Sequence, residues 1–163
     1  MSETNFYGIR RQDRILDNAL AIKLLQNAEY GFLSLGESRN GYTYGIPISF
    51  AYSLFDNALY FHCAPEGHKL DNLKQNNKVA FCVVGNTKTL SEKFSTLYES
   101  VIVFGQVEIS QTDEDKRYTL RRLLEKYSPS HLETGEKYIN SALNRTLTFK
   151  IDIKHITAKT KKN

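Results

Sequence analysis

The sequence predicts a mainly β protein, an antiparallel barrel with peripheral helices. About six or seven runs rich in β-branched and aromatic residues follow each other at close spacing, with turn residues between them. The helical patterns do not alternate regularly with these runs, which argues against a doubly wound parallel sheet. The glycine-rich nucleotide motifs GxGxxG and GxxxxGKS/T do not occur.

The 163-residue chain has the length of one domain with a substantial core. We predict a single domain over residues 1–163, with an extended N-terminal arm over 1–12 and a basic C-terminal tail over 158–163. Lysines of this tail contribute to the net charge of +4. Such a run is typical of a solvated segment, so we expect no nucleic-acid partner. Neither a run of about 18 apolar residues nor a signal-peptide core occurs, so we predict no membrane partner and a cytoplasmic protein.

The first part of the chain predicts one helix and three strands. Apolar residues recur at helical spacing over 15–28, and a short strand follows over 30–35. Two further apolar runs, 42–55 and 58–63, flank Asp56-Asn57. Because Asp and Asn favour tight turns, this segment predicts a hairpin.

The rest of the chain mixes amphipathic helices with apolar strands. We predict helices over 66–75, 113–127 and 133–143, strands over 79–84, 98–109 and 146–153, and a polar loop over 85–93. Thr112 is the N-cap candidate of the middle helix because acidic residues fill its first turn, and Pro129 ends that helix.

Pro47 is an unusual residue inside a predicted strand. Proline cannot donate to a ladder, so this strand lies at an edge, carries a bulge, or is uncovered at that point. A flat ligand could lie against such a backbone and use its free N–H and C=O groups. A simple edge strand is an equally good interpretation.

The main polar cluster directly follows the hairpin and contains His62, Glu66, Gly67, His68 and Lys69. Gly67 allows close approach of the backbone, and His68 and Lys69 stand where a helix begins. A helix N-terminus with basic side chains favours a phosphate. The alternative is a solvated helix start. Metal binding by the two histidines is less favoured because no third ligand lies close in the sequence.

No residue pattern indicates nucleophilic or acid–base catalysis, since neither GxSxG nor paired carboxylates at catalytic spacing occur. Ser100 opens the longest strand and could bind a phosphate or ligand oxygen, although a surface serine is the simpler interpretation. Cys63 and Cys82 fall in predicted strands, so we expect reduced, buried thiols rather than a disulfide. Any chemistry would then be carried by a cofactor.

Three segments resemble the pyridoxamine 5′-phosphate oxidase-like flavoproteins: 45–50 (GIPISF), 60–69 (YFHCAPEGHK) and 98–105 (YESVIVFG). Within that family the likeness is greatest to the 5-nitroimidazole-resistance branch, whose N-terminal signature is similar to residues 10–14 (RRQDR). The likeness extends over roughly residues 8–160. It does not extend to the C-terminal substrate motif of the vitamin-synthesising enzymes, so it does not imply pyridoxamine phosphate oxidation.

The resemblance implies a homodimer of FMN-binding split β-barrels with two FMN molecules at the interface. The cofactor-binding residues that it implies are Ile46, Pro47, Ile48, Ser49, Phe50, His62, Cys63, Gly67, His68, Lys69, Ser100 and Arg145. The first five would line the isoalloxazine, largely through backbone. His62 and Cys63 would lie beside the ribityl chain or phosphate, and the His68-Lys69 pair would hold the phosphate. Arg145 would approach from the second subunit.

We therefore predict an FMN-dependent reductase of small planar acceptors, either nitroimidazole-like or quinone-like, with NADH or NADPH as electron donor. The rival prediction from another class is a flavin or haem carrier without catalysis. In that case His62 is a candidate axial ligand.

Overall fold

One antiparallel sheet with helices around it forms the structure, a computed structural model that describes residues 5–37 and 41–162. The helices are α1 (Asn18–Asn27), α2 (His68–Gln75), α3 (Asp113–Tyr127) and α4 (Leu132–Ala142). The strands are β1 (Tyr30–Glu37), β2 (Thr43–Ser49), β3 (Ala51–Ser53), β4 (Ala58–Cys63), β5 (Lys78–Val84), β6 (Lys88–Leu90), β7 (Ser95–Ile109) and β8 (Leu147–Lys161).

The strand order explains how the sheet closes. It runs β2-β1-β5-β7-β8-β4-β3, with β6 paired to β7. The two ends of this path, β2 and β3, are separated in sequence by Phe50 alone, so one bent segment closes the sheet on itself. Among the described residues, strand β2 pairs only with β1, so one of its edges is unpaired. The predicted split β-barrel is confirmed, and Pro47 lies in the edge strand.

Aromatic rings fill the centre of the barrel. Phe50, Phe61, Phe81 and Phe149 are fully buried. The Phe81 ring lies 4.7 Å from that of Phe50 and 5.3 Å from that of Phe61, and the Phe61 and Phe149 rings stack at 4.9 Å. These contacts join β4, β5 and β8 to the bend between β2 and β3, so the core itself fixes where the barrel closes.

Helix α3 covers β3, β4 and β8 from outside. It begins at Thr112, whose hydroxyl accepts from the Asp115 N–H at 3.1 Å while the Asp115 carboxylate accepts from the Thr112 N–H. This capping box confirms the predicted N-cap. The predicted bounds of α3 are those observed, because the cap, the periodicity and Pro129 all act locally.

Three predicted boundaries are wrong, and each is corrected by tertiary contacts. The helix predicted from residue 15 begins at Asn18, since Ile15 forms a bridge with Lys159 and Asp17 caps the helix. The strand predicted over 42–55 breaks at Phe50. The loop predicted over 85–93 contains β6, which the sequence does not indicate because the strand has only three residues, two of them polar.

The predicted solvated tail over 158–163 is also wrong for residues 158–161. These residues are the end of β8, and Tyr98 pairs with Lys161 in the ladder with β7. Ala158 is buried. Pairing with the long strand β7 overrides the basic composition, because the lysine side chains alternate with residues that face the barrel.

The predicted N-terminal arm over 1–12 is described from Asn5 onward. Its residues up to Arg11 form no regular element. The Phe6 ring stacks on His155 with centroids 4.6 Å apart and lies 5.6 Å from Phe104. The arm therefore crosses the sheet near the middle of β7 and β8. Within the described part of the chain, no helix is long and apolar enough to cross a membrane.

Candidate functional site

The free edge of β2 forms one wall of the candidate site. Ile46 and Ile48 turn inward and pack against the core cluster, whereas Pro47 and Ser49 are exposed. An edge strand offers unpaired backbone groups on its open side. The open edge of this segment could therefore contact a flat ligand through its backbone, while the two isoleucine side chains belong largely to the core.

Phe50 does not belong to this wall. Its side chain is fully buried, and its N–H donates to the Tyr127 hydroxyl at 2.9 Å. Its carbonyl accepts from Lys126 Nζ and from Tyr127, each at 2.8 Å. The Phe50 side chain therefore belongs to the core and its backbone is bound by α3, and its predicted role in lining the flavin ring stays a prediction.

His62 and Cys63 end strand β4, opposite Thr148 and Leu147 of β8. Desolvation first and the positive charge of Lys69 second lower the pKa of His62, although its side chain is partly open to solvent. His62 is therefore neutral at physiological pH and can donate one hydrogen bond and accept another.

Helix α2 begins at Gly67, which adopts a φ of 127° that side-chain-bearing residues rarely take. No described atom lies within 4 Å of a Cβ built at Gly67, so the space in front of the helix is open. No described side chain caps this end. The first N–H groups of α2 thus point toward open space and can bind an anion.

The basic pair at the start of α2 is held in place by aromatic rings. The His68 ring packs on Tyr44 of β2 with centroids 4.1 Å apart. Lys69 Nζ lies 6.0 Å from the centre of the Phe149 ring, and its charge lies close enough to Cys63 to lower the pKa of that thiol against the effect of burial. These contacts tie the helix start to both β2 and β4. Tyr44 was not predicted as a site residue, because one aromatic among many in a strand carries no local signal.

The structure brings most predicted residues to one end of the barrel. The β2 edge, His62, Cys63 and the start of α2 lie together there. Arg145 also lies at this end, two residues before Leu147, which pairs with Cys63. The set combines a phosphate-sized group of donors with an open, flat backbone edge, and so it fits a planar molecule that carries a phosphate.

Ser100 is not part of this group within one chain. It pairs with Lys159, whereas Cys63 pairs with Leu147, twelve residues earlier in β8. That separation corresponds to a path of roughly 40 Å along the strand. Ser100 can therefore contribute to the site only from a second copy of the chain, and its role stays a prediction.

Both cysteines are free and half-buried rather than fully buried as predicted. Desolvation raises the pKa of both thiols, and the Lys69 charge and hydrogen bond partly oppose this at Cys63. Raised pKa values disfavour the reactive thiolate. Among the residues that the structure describes, no group of three or more His, Cys, Asp or Glu side chains could hold a metal ion.

A second open surface lies on the opposite side of the same sheet. We call it the outer face and define it by Phe32, Ala80, Cys82, Ile102 and Phe104. Phe32 is in register with Cys82, and Cys82 with Ile102. A cavity of about 1150 Å³ lies over part of this face, and its lining includes Ala80, Phe104 and the N-terminal arm at Asn5 and Phe6. The outer face is thus apolar and not fully covered by the chain itself.

Comparison with known families gives one match, to the pyridoxamine 5′-phosphate oxidase family over residues 17–160. No curated protein matches the chain. Among solved structures, a candidate 5-nitroimidazole antibiotic resistance protein from Bacteroides thetaiotaomicron is similar with a TM-score of 0.76 and 25% sequence identity, over 90% of this chain and 86% of that one.

Two further structures share the fold at lower identity. The flavocytochrome Anf3 from Azotobacter vinelandii gives a TM-score of 0.80 at 15% identity, over 99% of this chain and 75% of that one. The FAD and heme binding protein from Mycobacterium smegmatis gives a TM-score of 0.77 at 20% identity, over 93% of this chain and 75% of that one.

Proposed function

Because the chain belongs to the pyridoxamine 5′-phosphate oxidase family, we propose that it is a flavoprotein that binds FMN between the free edge of β2 and the start of α2. One observation carries this proposal. An uncapped helix start with open space at Gly67 and two basic side chains lies beside the exposed edge of a strand. The first part suits a phosphate and the second a flat ring.

The residues would divide the binding as follows. Lys69 supplies a point charge to the phosphate, while His68 and the N–H groups of α2 supply directed donors. The backbone of 46–49 faces the ring through the unpaired edge. His62 and Cys63, at the end of β4, lie between these two parts and so would line the ribityl chain.

For the activity, we propose reduction of small planar acceptors of the nitroimidazole or quinone type. Bound flavin supplies the redox chemistry: NADH or NADPH gives a hydride, and with one proton from solvent a quinone becomes a hydroquinone, or a nitro group becomes a nitroso group with release of water. The chain itself orients the ring and excludes water from one side of it. The neutral His62 can donate a hydrogen bond at this site.

Titration with FMN tests the binding site. Lys69→Ala should weaken binding of FMN to the apoprotein by about 1–3 kcal/mol, the scale of a charged hydrogen bond. Lys74→Ala is the matched control, since Lys74 is an exposed lysine in the last turn of the same helix. Equal affinity of the two variants for FMN would contradict a phosphate site at Lys69.

An anaerobic assay tests the activity. NADH or NADPH is mixed with the FMN-loaded protein, bleaching of the flavin absorbance is followed, and a nitroimidazole or a quinone is then added. We expect bleaching by one donor and recovery on addition of an acceptor. If neither donor bleaches the flavin, and chemically reduced flavin is not reoxidised by either acceptor, the reductase proposal fails.

A carrier of flavin or haem is the second candidate. Two similar structures are of proteins whose names include haem or cytochrome. In this chain burial lowers the pKa of His62, so a neutral imidazole would be available to hold the haem iron. The absorbance spectrum of the purified protein separates the cofactors, because haem gives a Soret band and flavin does not.

We also propose that the chain is a homodimer. The outer face is half open although it is apolar, and Ser100 can reach the site only from another copy. An interface of this kind should bury more than about 2,000 Å² in total. Sedimentation at micromolar concentration should give twice the chain mass of 18.7 kDa. A monomer that still binds FMN would contradict the proposal.

A further inference from the structure

The last two residues of α3 reach across the barrel to the bend between β2 and β3. Lys126 Nζ donates to the carbonyls of Phe50 at 2.8 Å and Ala28 at 2.6 Å. The Tyr127 hydroxyl accepts from the Phe50 N–H at 2.9 Å and lies within hydrogen-bond distance of the carbonyls of Phe50 and Glu29. We call Lys126 and Tyr127 the hinge clamp.

The clamp binds Phe50, the residue between β2 and β3 that belongs to neither strand. Phe50 is in neither strand, so its backbone N–H and carbonyl need other partners. The clamp supplies both. It also holds the carbonyls of Ala28 and Glu29, which immediately precede β1, the neighbour of β2. Strands β1 and β2 are therefore fixed relative to each other at this end by side chains of α3.

The lysine is placed here at an energetic cost. Its Nζ lies 3.9 Å from the centre of the buried Phe50 ring, and burial lowers the pKa of Lys126 to about 8, with Glu29 acting in the opposite direction. Each carbonyl bond and the cation–π contact offsets part of the desolvation. The Lys126 amine is partly desolvated and bonded to two backbone carbonyls, so its role is to hold the backbone bend rather than to face solvent.

The clamp also adjoins the candidate site. Ser49, the last residue of β2, directly precedes Phe50, and its side chain lies near enough to the Tyr127 hydroxyl to oppose the rise in its pKa that burial causes. Strand β2 pairs on one side only, so its ladder constrains it less than a central strand. Its orientation next to the bend therefore depends on how the backbone of Phe50 is held. The flavin ring, where proposed, would lie along that edge.

We propose that Lys126 and Tyr127 are positioning residues of the flavin site, which hold the free edge of β2 in the orientation that binds the planar ring. This inference rests on the proposed flavin binding. Neither residue would touch the cofactor. Both act through the backbone of Phe50 and through Ser49.

The test compares Lys126→Met, Lys126→Arg and Tyr127→Phe with the wild type, and uses Lys137→Met as control because Lys137 is exposed and pairs only within α4. Lys126→Met should weaken FMN binding at least about tenfold, the effect of losing one or two hydrogen bonds. Lys126→Arg retains donors for both carbonyls and should recover most of the affinity. Tyr127→Phe should give an intermediate loss.

Hydrogen exchange of the apoproteins provides a second readout that does not depend on FMN. In Lys126→Met, peptides that cover 43–53 should exchange faster than in the wild type, while peptides from β7 should not change. Each variant is also unfolded in urea. A cooperative unfolding transition shows that the variant retains the fold.

The outcomes separate the inference from the proposed function. If the wild type binds FMN and Lys126→Met binds it equally well, the inference is overturned. If Lys126→Met weakens binding but Lys126→Arg does not restore it, and exchange over 43–53 is unchanged, the clamp is not a positioning device. If the wild type binds no flavin, the proposed function fails, and the exchange data alone decide whether the clamp orients β2.

Discussion

The two faces of the sheet formed by β1, β5 and β7 both carry large apolar side chains, but only one face buries them fully. On the inner face, Leu33, Phe81 and Val103 stand in register and are each 0% exposed. One residue along each strand, the outer face places Phe32 at 47% and Ile102 at 36% exposure. The same strands therefore carry one apolar face that is fully buried and one that is partly exposed.

The difference shows which side chains the barrel buries by itself and which it leaves exposed. Curling brings inner side chains from all strands together, so they cover each other without help. The outer side chains diverge as the sheet curls, and among the described residues the N-terminal arm covers part of them through the contact of Phe6 with Phe104. A solvated face of an antiparallel sheet normally carries polar residues. The exposed apolar residues on this face are the reason why we propose that a second copy of the chain packs against it.

The largest expected effect is on stability. Phe81→Ala should lower the free energy of unfolding by about 3–5 kcal/mol, because it removes a ring that contacts two others in the core. Phe32→Ala, measured by urea unfolding at a concentration where the protein is monomeric, should cost clearly less. Equal losses would show that the outer face is as well packed as the inner one within a single chain.

The next effect is on assembly. Ile102→Asp should convert the proposed dimer to a monomer, because a carboxylate would be buried without a partner at the interface. Sedimentation at micromolar concentration measures this change. Thr96→Asp lies on the same strand at an exposed position and serves as control. A dimer that survives the Ile102 substitution would place the interface elsewhere.

Thiol labelling distinguishes the two open surfaces. Cys82 lies on the outer face and Cys63 at the candidate flavin site, and the pKa of each thiol is raised, so we expect both to react slowly. Dilution below the dimer dissociation constant should speed labelling of Cys82, and FMN should slow labelling of Cys63. Fast labelling of Cys63 with loss of activity would instead point to a catalytic thiol.

The last prediction concerns the pH dependence of stability and involves a charge at the border of the inner core. The pKa of Lys126 is lowered from 10.5 to about 8 in the folded chain. Between these values the unfolded chain binds more protons, so Lys126 makes stability rise with pH over that range. The difference in unfolding free energy between wild type and Lys126→Met should therefore shift in favour of the wild type from pH 8 to 10.5. A constant difference would contradict the lowered pKa.

Much of the site could be predicted from the sequence because its signals are local. Gly67, His68 and Lys69 are consecutive, and a glycine followed by basic residues at a helix start is visible without a structure. Pro47 marked the edge strand because proline cannot donate to a ladder. The hinge clamp could not be predicted, since Lys126 and Tyr127 lie 76 and 77 residues from Phe50 and end an ordinary amphipathic helix.

The sequence by itself determined the elements whose causes are short-range. The cap at Thr112, the turn at Asp56-Asn57 and the alternation along β7 depend on neighbouring residues, and the structure retains all three. Tertiary structure decided where long-range partners compete with local preference. It broke the closing segment at Phe50, and it extended β8 through the lysines as far as Lys161. It also separated Ser100 from Lys69, because only the pairing of distant strands fixes which ends of the sheet meet.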